Sequence, residues 1–279
     1  MFKTILVCLG SKDRAEALLD VALPLAERHD AHLVGLHVVP SFSNYAGGMT
    51  PAEVPVEFFE ENRRLMQAEA EAIERIFAER TRSAAIRSEW RREEATSPNQ
   101  HRVFNRHAMC ADLVIAGQAR DAEWGGGNIL VDLVMGSGRP VLLVPYAGRF
   151  DRIGDRVMLT WNATREAARA AFDALPILKD ASHVRVLAID PSEDRSHTGL
   201  AAADDLAVTL ARHGVKAEAA TSFSDTISVA DDILSRLADD GSDLLVMGCF
   251  GHSRVREMLF GGVTRHVLRH MTVPVLMSH

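Results

Sequence analysis

An internal repeat constrains the fold of this 279-residue chain more than any other feature of its sequence. Asp112–Gly117 reads DLVIAG and Asp243–Gly248 reads DLLVMG, and each is followed by a glycine-containing stretch and a helix-compatible segment. A proline-led apolar run then closes each half, Pro140–Val144 in the first and Pro274–Met277 in the second. Two such successions in the same order predict two copies of one domain in tandem.

The earlier part of each half alternates apolar runs with alanine-rich, helix-compatible segments. In chain order these are Thr4–Cys8, 14–28 and His32–Val39 in the first half, and Arg156–Thr160, 165–179 and His183–Ile189 in the second. Such alternation produces β-α-β units, and near-continuous apolar strands are typical of a parallel sheet covered on both faces. The sequence therefore predicts an α/β fold with parallel sheets, in two domains at 1–147 and 152–279.

Composition and charge exclude several classes of protein. The formal net charge of −7 provides no basic face to displace counterions from phosphates, so nucleic-acid binding is not expected. No apolar run approaches the roughly 20 residues that span a bilayer, and Met1 leads directly into a strand-like segment without a secretory leader. Cys8, Cys110 and Cys249 lie far apart among apolar neighbours and are expected to be buried, reduced thiols of a cytoplasmic protein.

The halves differ mainly in the middle, where the first half carries the longer insertion. Gly47 and Gly48 precede a charged helix that is expected from about Val56 to Arg82. Glu and Arg dominate this helix, and apolar residues are interspersed among them. One interpretation is a helix that packs on the sheet and has a solvated outer face, and the other is a helix that binds a partner.

A glycine loop in the second half is the segment best suited to chemistry. Gly248, Gly251, Gly261 and Gly262 lie between a strand expected at 244–247 and a helix expected at about 263–270. A strand, a glycine-rich turn and a helix start bring backbone N–H groups and the positive end of the helix dipole to one point, which suits phosphate. Open parallel sheets also bind ligands at the carboxyl ends of their strands. No Gly-Lys-Ser/Thr sequence follows, so the loop is not a Walker A motif.

The spacing Gly248-x2-Gly251-x9-Gly261 resembles the ATP-binding signature of the universal stress protein family, Gly-x2-Gly-x9-Gly-Ser/Thr. Residues 265–276 also resemble the last helix and strand of that family, and the resemblance covers essentially the whole chain as a tandem-type member. It implies two open five-stranded parallel sheets with helices on both faces, a Rossmann-like fold of the adenine nucleotide α-hydrolase type. It also implies ATP as the ligand of the second domain, with Mg²⁺ as a candidate companion ion.

Two positions depart from the family pattern. Gly262 stands where a hydroxyl residue is expected, with the next hydroxyl at Thr264, and Asn162 stands where an acidic residue is expected. Backbone N–H contacts from Gly261 and Gly262 would survive, and Asn162 can still hydrogen-bond a ribose or a base edge. The resemblance implies as nucleotide-binding residues Asn162, Ala163, Thr164, Ile189, Gly248, Gly251, His252, Arg254, Gly261, Gly262, Val263 and Thr264.

The matching loop of the first half has lost the pattern. Arg120 stands where the second glycine is expected, and the spacer before Gly127 has six residues instead of nine. Asp121 and Glu123 would repel a triphosphate, and Gly10 takes the acidic position after the first strand. The first half is therefore expected to support folding or association and not to hold ATP in the family manner. Binding of another ligand by this half stays an open alternative.

The twelve histidines raise the question of a metal site. His266 and His270 lie four apart on a helix and could present two imidazoles on one face, but no third ligand is evident nearby. Surface or helix-end histidines are the simpler interpretation. His252 and Arg254 lie in the glycine loop, where contact with phosphate is a reasonable role.

The sequence shows no motif that joins a nucleophile, a base and an orienting group. The resemblance to the universal stress protein family therefore implies an ATP-responsive binding or regulatory module in stress response, not a metabolic enzyme, with at most weak ATPase activity. Two alternatives stay open: a nucleotide-free interaction scaffold or small-ligand binder, and a slow ATPase or metal-dependent enzyme. Family precedent pairs the two domains through their last strands, here 141–144 and 273–277, and a homodimer is expected.

Overall fold

The structure is a computed structural model that describes residues 1–41, 56–96, 99–118, 129–189, 203–223, 227–249 and 262–279. The chain divides into two compact units, Met1–Ser137 and Gly138–His279. Each unit alternates strands with helices around a mostly parallel sheet, so the predicted α/β fold class is confirmed.

The first unit contains a sheet in the order β3-β2-β1-β4, and each adjacent pair of these strands is parallel. Four helices accompany it in the described ranges. The elements are β1 Thr4–Cys8, α1 Lys12–His29, β2 His32–Ser41, α2 Val56–Ser83, β3 Ser88–Thr96, α3 Gln100–Ala108, β4 Leu113–Gly117 and α4 Ile129–Ser137.

The second unit contains a sheet in the order β5-β10-β9-β6-β7-β8, in which β5 is antiparallel to β10 and the other pairs are parallel. Its elements, with helices numbered over the described residues, are β5 Val141–Val144, β6 Arg156–Thr160, α5 Arg165–Asp173, α6 Leu175–Leu178, β7 His183–Ile189, α7 Ala203–Arg212, β8 Ala217–Ser222, α8 Val229–Asp239, β9 Leu244–Gly248, α9 Gly262–His270 and β10 Val275–Ser278.

The central strands are buried on both faces. Successive side chains of a strand point to opposite faces of the sheet, yet Ile5, Leu6 and Val7 of β1 are at most 1% exposed. Val157 and Leu159 of β6 are likewise buried. Helices must therefore cover both faces of each sheet, which explains why these strands read as continuous apolar runs.

Each repeat contributes five described strands, β1–β5 and β6–β10. The compact units divide after Ser137, so β5, which closes the first repeat in sequence, is counted with the second unit and pairs through Val141, Leu142 and Leu143 with β10. In the described ranges the first unit therefore holds four strands and the second six. The pairing is the one expected between the two proline-led strands, and it covers an edge of β10 whose backbone groups would otherwise be free. The predicted domain bounds at 147 and 152 stay a prediction, since the units divide after Ser137.

The aspartate that opens each copy of the repeat has the same structural role in both copies. The Asp112 carboxylate accepts hydrogen bonds from the backbone N–H of Lys3 and Thr4, at 2.7 and 2.9 Å. The Asp243 carboxylate accepts three such bonds, from Gly154, Asp155 and Arg156, at 2.8, 3.1 and 3.3 Å. Each aspartate thereby fixes the start of the neighbouring strand of its unit.

The cysteines do not all lie where the sequence places them. Cys8 and Cys249 are buried, as expected, but Cys110 is exposed because it lies in the turn between α3 and β4. Burial raises the pKa of the Cys8 thiol to about 12, so this thiol stays protonated.

No helix in the described part of the chain combines the length and the apolar character needed to cross a membrane.

Replacement of Asp243 tests its anchoring role. Asp243→Ala removes the acceptors of three backbone N–H groups and should lower the free energy of unfolding of the second unit by about 1–3 kcal/mol. Asp243→Asn keeps the oxygen that accepts from Gly154 and Arg156 and should cost less. Hydrogen exchange of β6 peptides in urea measures both values, and equal losses would contradict the proposed role.

Candidate functional site

The predicted site lies at the topological switch point of the second unit. β6 pairs with β7 on one side and with β9 on the other, so the connections that leave the carboxyl ends of β6 and β9 diverge. Ligands of open parallel sheets bind in the crevice at such a point. The structure brings the turn that follows Thr160 and the end of β9 at Gly248 to this crevice, and Ile189, half-buried, ends the neighbouring strand β7.

The turn from β6 into α5 is held by its own side chains. Asn162 Oδ1 accepts hydrogen bonds from the Thr164 backbone N–H and hydroxyl, at 3.3 and 2.9 Å. The Thr164 hydroxyl in turn accepts from Ala167 N and caps the N-terminus of α5. Ala163 between them has the left-handed φ of 54°. Asn162 thus uses its side-chain oxygen to shape the turn.

Gly248 has a different role from the one its place in the glycine loop indicates. A Cβ at this position would lie within 2.5 Å of the Glu166 carbonyl carbon and 2.8 Å of the Ala167 Cα, both of them backbone atoms. Glycine is therefore required because the first turn of α5 packs directly on the end of β9. The close approach that it permits is to a helix of the same unit.

The helix expected at about 263 begins one residue earlier, at Gly262. Gly262 is exposed, and a Cβ there would meet no atom of the described residues within 4 Å, so the described part of the chain leaves the start of α9 open. Val263 is half-buried, and Thr264 is only 5% exposed. Four further residues of the predicted site, Gly251, His252, Arg254 and Gly261, lie outside the described residues.

A buried carboxylate that the sequence analysis did not select lies beside Gly248. Glu166 is 4% exposed, and its side chain pairs with Arg165 in the first turn of α5. Burial alone would raise the pKa of Glu166. The hydrogen bond from Arg165, the backbone N–H of Glu166 itself and the charges of Arg165 and His279 together hold that pKa below its ordinary value of 4.5. The crevice therefore contains an ionised carboxylate whose charge is already paired.

The residue that follows β9 is fixed to the end of β10. Cys249 donates from its backbone N and from Sγ to the Ser278 carbonyl, at 3.1 and 3.3 Å, and its own carbonyl lies 3.1 Å from His279 Nδ1. Burial, together with the nearby charge of Glu166, raises the pKa of the Cys249 thiol to about 12. The thiol therefore stays protonated and has a structural role.

The histidine pair of α9 has a carboxylate partner on α8. His266 Nε2 lies 2.8 Å from Asp231 Oδ1, and its ring centroid lies 4.3 Å from that of His270. A hydrogen bond from Ser228, and then the proximity of His266 and His270, hold the pKa of Asp231 below its usual range. Among the described residues, no group of three His, Cys, Asp or Glu side chains is arranged to hold a metal ion.

The start of α1, which corresponds to the start of α5 in the second unit, is contacted by a side chain of the first unit. Gly10 is exposed, and a Cβ there would meet no atom of the described residues within 4 Å. The backbone N–H of Lys12, the first residue of α1, donates to Glu69 Oε1 of α2 at 3.2 Å. A carboxylate from α2 thus lies where the dipole of α1 favours an anion. Arg120, Asp121, Glu123 and Gly127 lie outside the described ranges.

The sequence profile of the universal stress protein family matches residues 1–145 and again residues 156–279. The chain belongs to the universal stress protein family. The two matches account for the internal repeat and confirm the resemblance noted in the glycine spacing.

Individual universal stress proteins share the fold more clearly than the sequence. A solved universal stress protein from Archaeoglobus fulgidus is 16% identical, with a TM-score of 0.71 over 99% of this chain and 95% of that one. A curated universal stress protein from Synechocystis is 44% identical over 48 residues, which are 17% of this chain and 17% of that protein. A universal stress protein solved in complex with cAMP is 20% identical over 52% of this chain and 98% of that one, with a TM-score of 0.34.

Sequence reasoning missed two acidic residues of this universal stress protein, Glu166 and Glu69. The position of Glu166 in the first turn after the capping Thr164 could have indicated a role at the helix start, but nothing in the sequence indicated that its side chain is buried. Glu69 lies 57 residues from its partner Lys12 in an unrelated helix, so no local pattern could have joined them.

Alanine at Gly248 and at Gly262 should have opposite consequences. Gly248→Ala forces a Cβ into the backbone of α5 and should lower the free energy of unfolding by about 1–3 kcal/mol. Gly262→Ala enters open space and should change it by less than about 0.5 kcal/mol. Urea denaturation of the two matched variants decides the point, and similar losses would refute the packing role of Gly248.

Glu166 should make the stability of the second unit depend on pH. Because the pKa of Glu166 is lower in the folded state, its contribution is present above the ordinary value of 4.5 and is lost as the pH falls through the folded pKa. Glu166→Gln should therefore flatten the loss of stability between about pH 5 and about pH 3. Unfolding free energies measured across that range test this, and an unchanged slope would show that Glu166 does not titrate with folding.

Proposed function

We propose that the second unit of this universal stress protein binds ATP and that the chain acts as an ATP-responsive binding or regulatory module in stress response. The observation that carries the proposal is the open start of α9 at Gly262, which follows β9 at the switch point of the sheet. The family membership of both halves and the Gly-x2-Gly-x9-Gly spacing support it.

The phosphates are assigned to the loop between β9 and α9. Backbone N–H groups at the start of α9 lack partners within the helix and carry the positive end of its dipole, which favours an anion. Gly262 leaves room for close approach, so these N–H groups can replace the hydroxyl contact that the family motif supplies. His252 and Arg254 are proposed as further phosphate contacts, and Mg²⁺ as a companion ion.

The nucleoside is assigned to the turn after β6 and to the end of β7. Asn162 is exposed and Thr164 is half-buried, so polar groups of this turn are accessible from the crevice. Asn162 already uses its side-chain oxygen within the turn, which leaves its amide N–H groups as donors. Ile189 is proposed to lie against the base.

Binding rather than hydrolysis is the proposed activity of this site. Glu166, the buried acid beside Gly248, is held in an ion pair with Arg165 and is therefore not poised to accept a proton from water. At most a weak ATPase activity is expected. The two buried thiols, which stay protonated, are in keeping with the cytoplasmic location that we propose.

The first unit is proposed to serve folding and association without ATP. In the first half Arg120 stands where the second glycine of the motif is expected, and the spacer before Gly127 has six residues instead of nine, so the pattern that would hold phosphate is lost. A scaffold function of the whole chain is the second candidate, and this lost pattern is the observation that favours it.

Isothermal titration of the full chain with Mg-ATP tests the proposal. One ATP per chain is expected. Gly251→Phe should abolish the heat of ATP binding, because a large side chain in the glycine loop would block the phosphates. Gly10→Phe is the control in the first unit: a Cβ at Gly10 meets no atom of the described residues within 4 Å, and the change should leave the heat unchanged. Titration with cAMP shows whether a single phosphate suffices. If the unmodified chain gives no heat with Mg-ATP, the nucleotide-binding proposal is wrong and the scaffold function is favoured.

A further inference from the structure

The first turn of α5 holds a cation and an acid that differ sharply in exposure. The Arg165 side chain is 82% exposed and that of Glu166 only 5%, yet Arg165 Nε donates to Glu166 Oε1. A buried carboxylate needs a charged or hydrogen-bonding partner, so this pair is held more firmly than one between two exposed side chains. The guanidinium is therefore fixed at Nε by a buried group, while the rest of the side chain is open to solvent.

This guanidinium lies at the carboxyl ends of β9 and β10. The first turn of α5 packs on Gly248, where the Glu166 carbonyl carbon would lie 2.5 Å from a Cβ. The Glu166 carboxylate also interacts electrostatically with Cys249 and with His279, which follow β9 and β10. Because Arg165 Nε contacts that same carboxylate, its positive charge is located at the crevice of the second unit.

Two contacts fix the backbone on either side of Arg165. The preceding residue, Thr164, caps α5 by accepting from Ala167 N, and the first turn of the helix is packed on Gly248. A side chain whose backbone and inner nitrogen are both held loses less entropy when it binds a ligand. Such pre-organisation favours a binding role over that of an ordinary solvated arginine.

The terminal nitrogens of Arg165 are available as donors. Within the described residues, its hydrogen bond and its ion pair are both made through Nε to Glu166. Nη1 and Nη2 carry four further N–H groups, in a planar fork that matches two oxygens of a phosphate. The chain has a formal net charge of −7, so a phosphate that approaches it is favoured by a local cation of this kind.

We propose that Arg165 binds the phosphates of the nucleotide through its terminal nitrogens, and that Glu166 positions Arg165 for this contact. The inference rests on the ATP site proposed for the second unit and adds to it a cation from the first turn of α5. The Nε contact is kept when the phosphate binds, so Glu166 stays ionised and paired. Arg165 is thus a binding residue, and Glu166 is a positioning residue that acts through it.

Competitive displacement of a fluorescent ATP analogue from the full chain tests the role of Arg165, with ATP and adenosine as competitors. Arg165→Ala should weaken ATP at least about tenfold, since a charged hydrogen bond is lost, and should leave adenosine unchanged. Arg165→Lys keeps a positive charge but lacks the fork and the Nε donor, so it should recover only part of the loss.

Arg212→Ala is the matched control for the change of charge. Arg212 is exposed and ends α7, just before β8 begins, so it lies at the amino ends of the strands and away from the crevice. This variant should leave the affinities for ATP and adenosine unchanged.

A second variant guards against loss of folding, because Arg165→Ala leaves the buried Glu166 without its partner. Arg165→Ala combined with Glu166→Gln removes both charges and should weaken ATP by the same factor as Arg165→Ala alone. Glu166→Gln alone should weaken ATP by a smaller factor, because the glutamine oxygen still accepts from Nε. The two effects are therefore expected to be non-additive, as required if Glu166 acts through Arg165.

The outcomes separate this role of Arg165 from the function on which it rests. Failure of the unmodified chain to bind the analogue would overturn both. If the unmodified chain binds and Arg165→Ala retains its affinity for ATP, the role of Arg165 alone is wrong. Equal losses of ATP and adenosine affinity would make Arg165 a structural residue, and additive effects of the two substitutions would refute the positioning role of Glu166.

Discussion

The contact between Gly248 and the first turn of α5 determines the geometry of the second unit's crevice. A helix backbone can lie this close to a strand end only where no Cβ intervenes. The contact fixes the start of α5 relative to β9, and with it the turn of Asn162 and Thr164 that caps the helix. Glu166 in that turn is buried and pairs with Arg165. The placement of the turn and of its buried carboxylate therefore depends on a position without a Cβ.

The two repeats share one structural framework but differ in the side chains at their helix starts. Asp112 and Asp243 fix the first strands of their units in the same way, so the framework is retained in both. Glu69 of α2 lies against the start of α1, whereas the corresponding helix start in the second unit, that of α5, is capped by Thr164. The two repeats therefore satisfy the backbone N–H groups of corresponding helix starts with different side chains.

The second unit also shows how a glycine motif combines two requirements. Gly248 serves the packing of α5, while Gly262 leaves the N-terminus of α9 open, although both belong to one sequence pattern. Spacing alone does not distinguish these roles, because a glycine is needed wherever backbone approaches closely, whether the neighbour is a helix or a ligand. The neighbours of each glycine decide between them, and these neighbours come from distant parts of the chain.

Periodicity and repetition in the sequence were sufficient for the α/β class, the two copies and most strand positions, since a parallel sheet buried on both faces needs apolar runs such as Val157–Leu159. The start of α9 was predicted to within one residue, at Gly262. The burial of Glu166, the exposure of Cys110 and the contact of Glu69 with Lys12 were decided by tertiary structure. Local patterns indicate which face of an element is apolar, but a buried charge and a contact at a helix start depend on segments that approach only after folding.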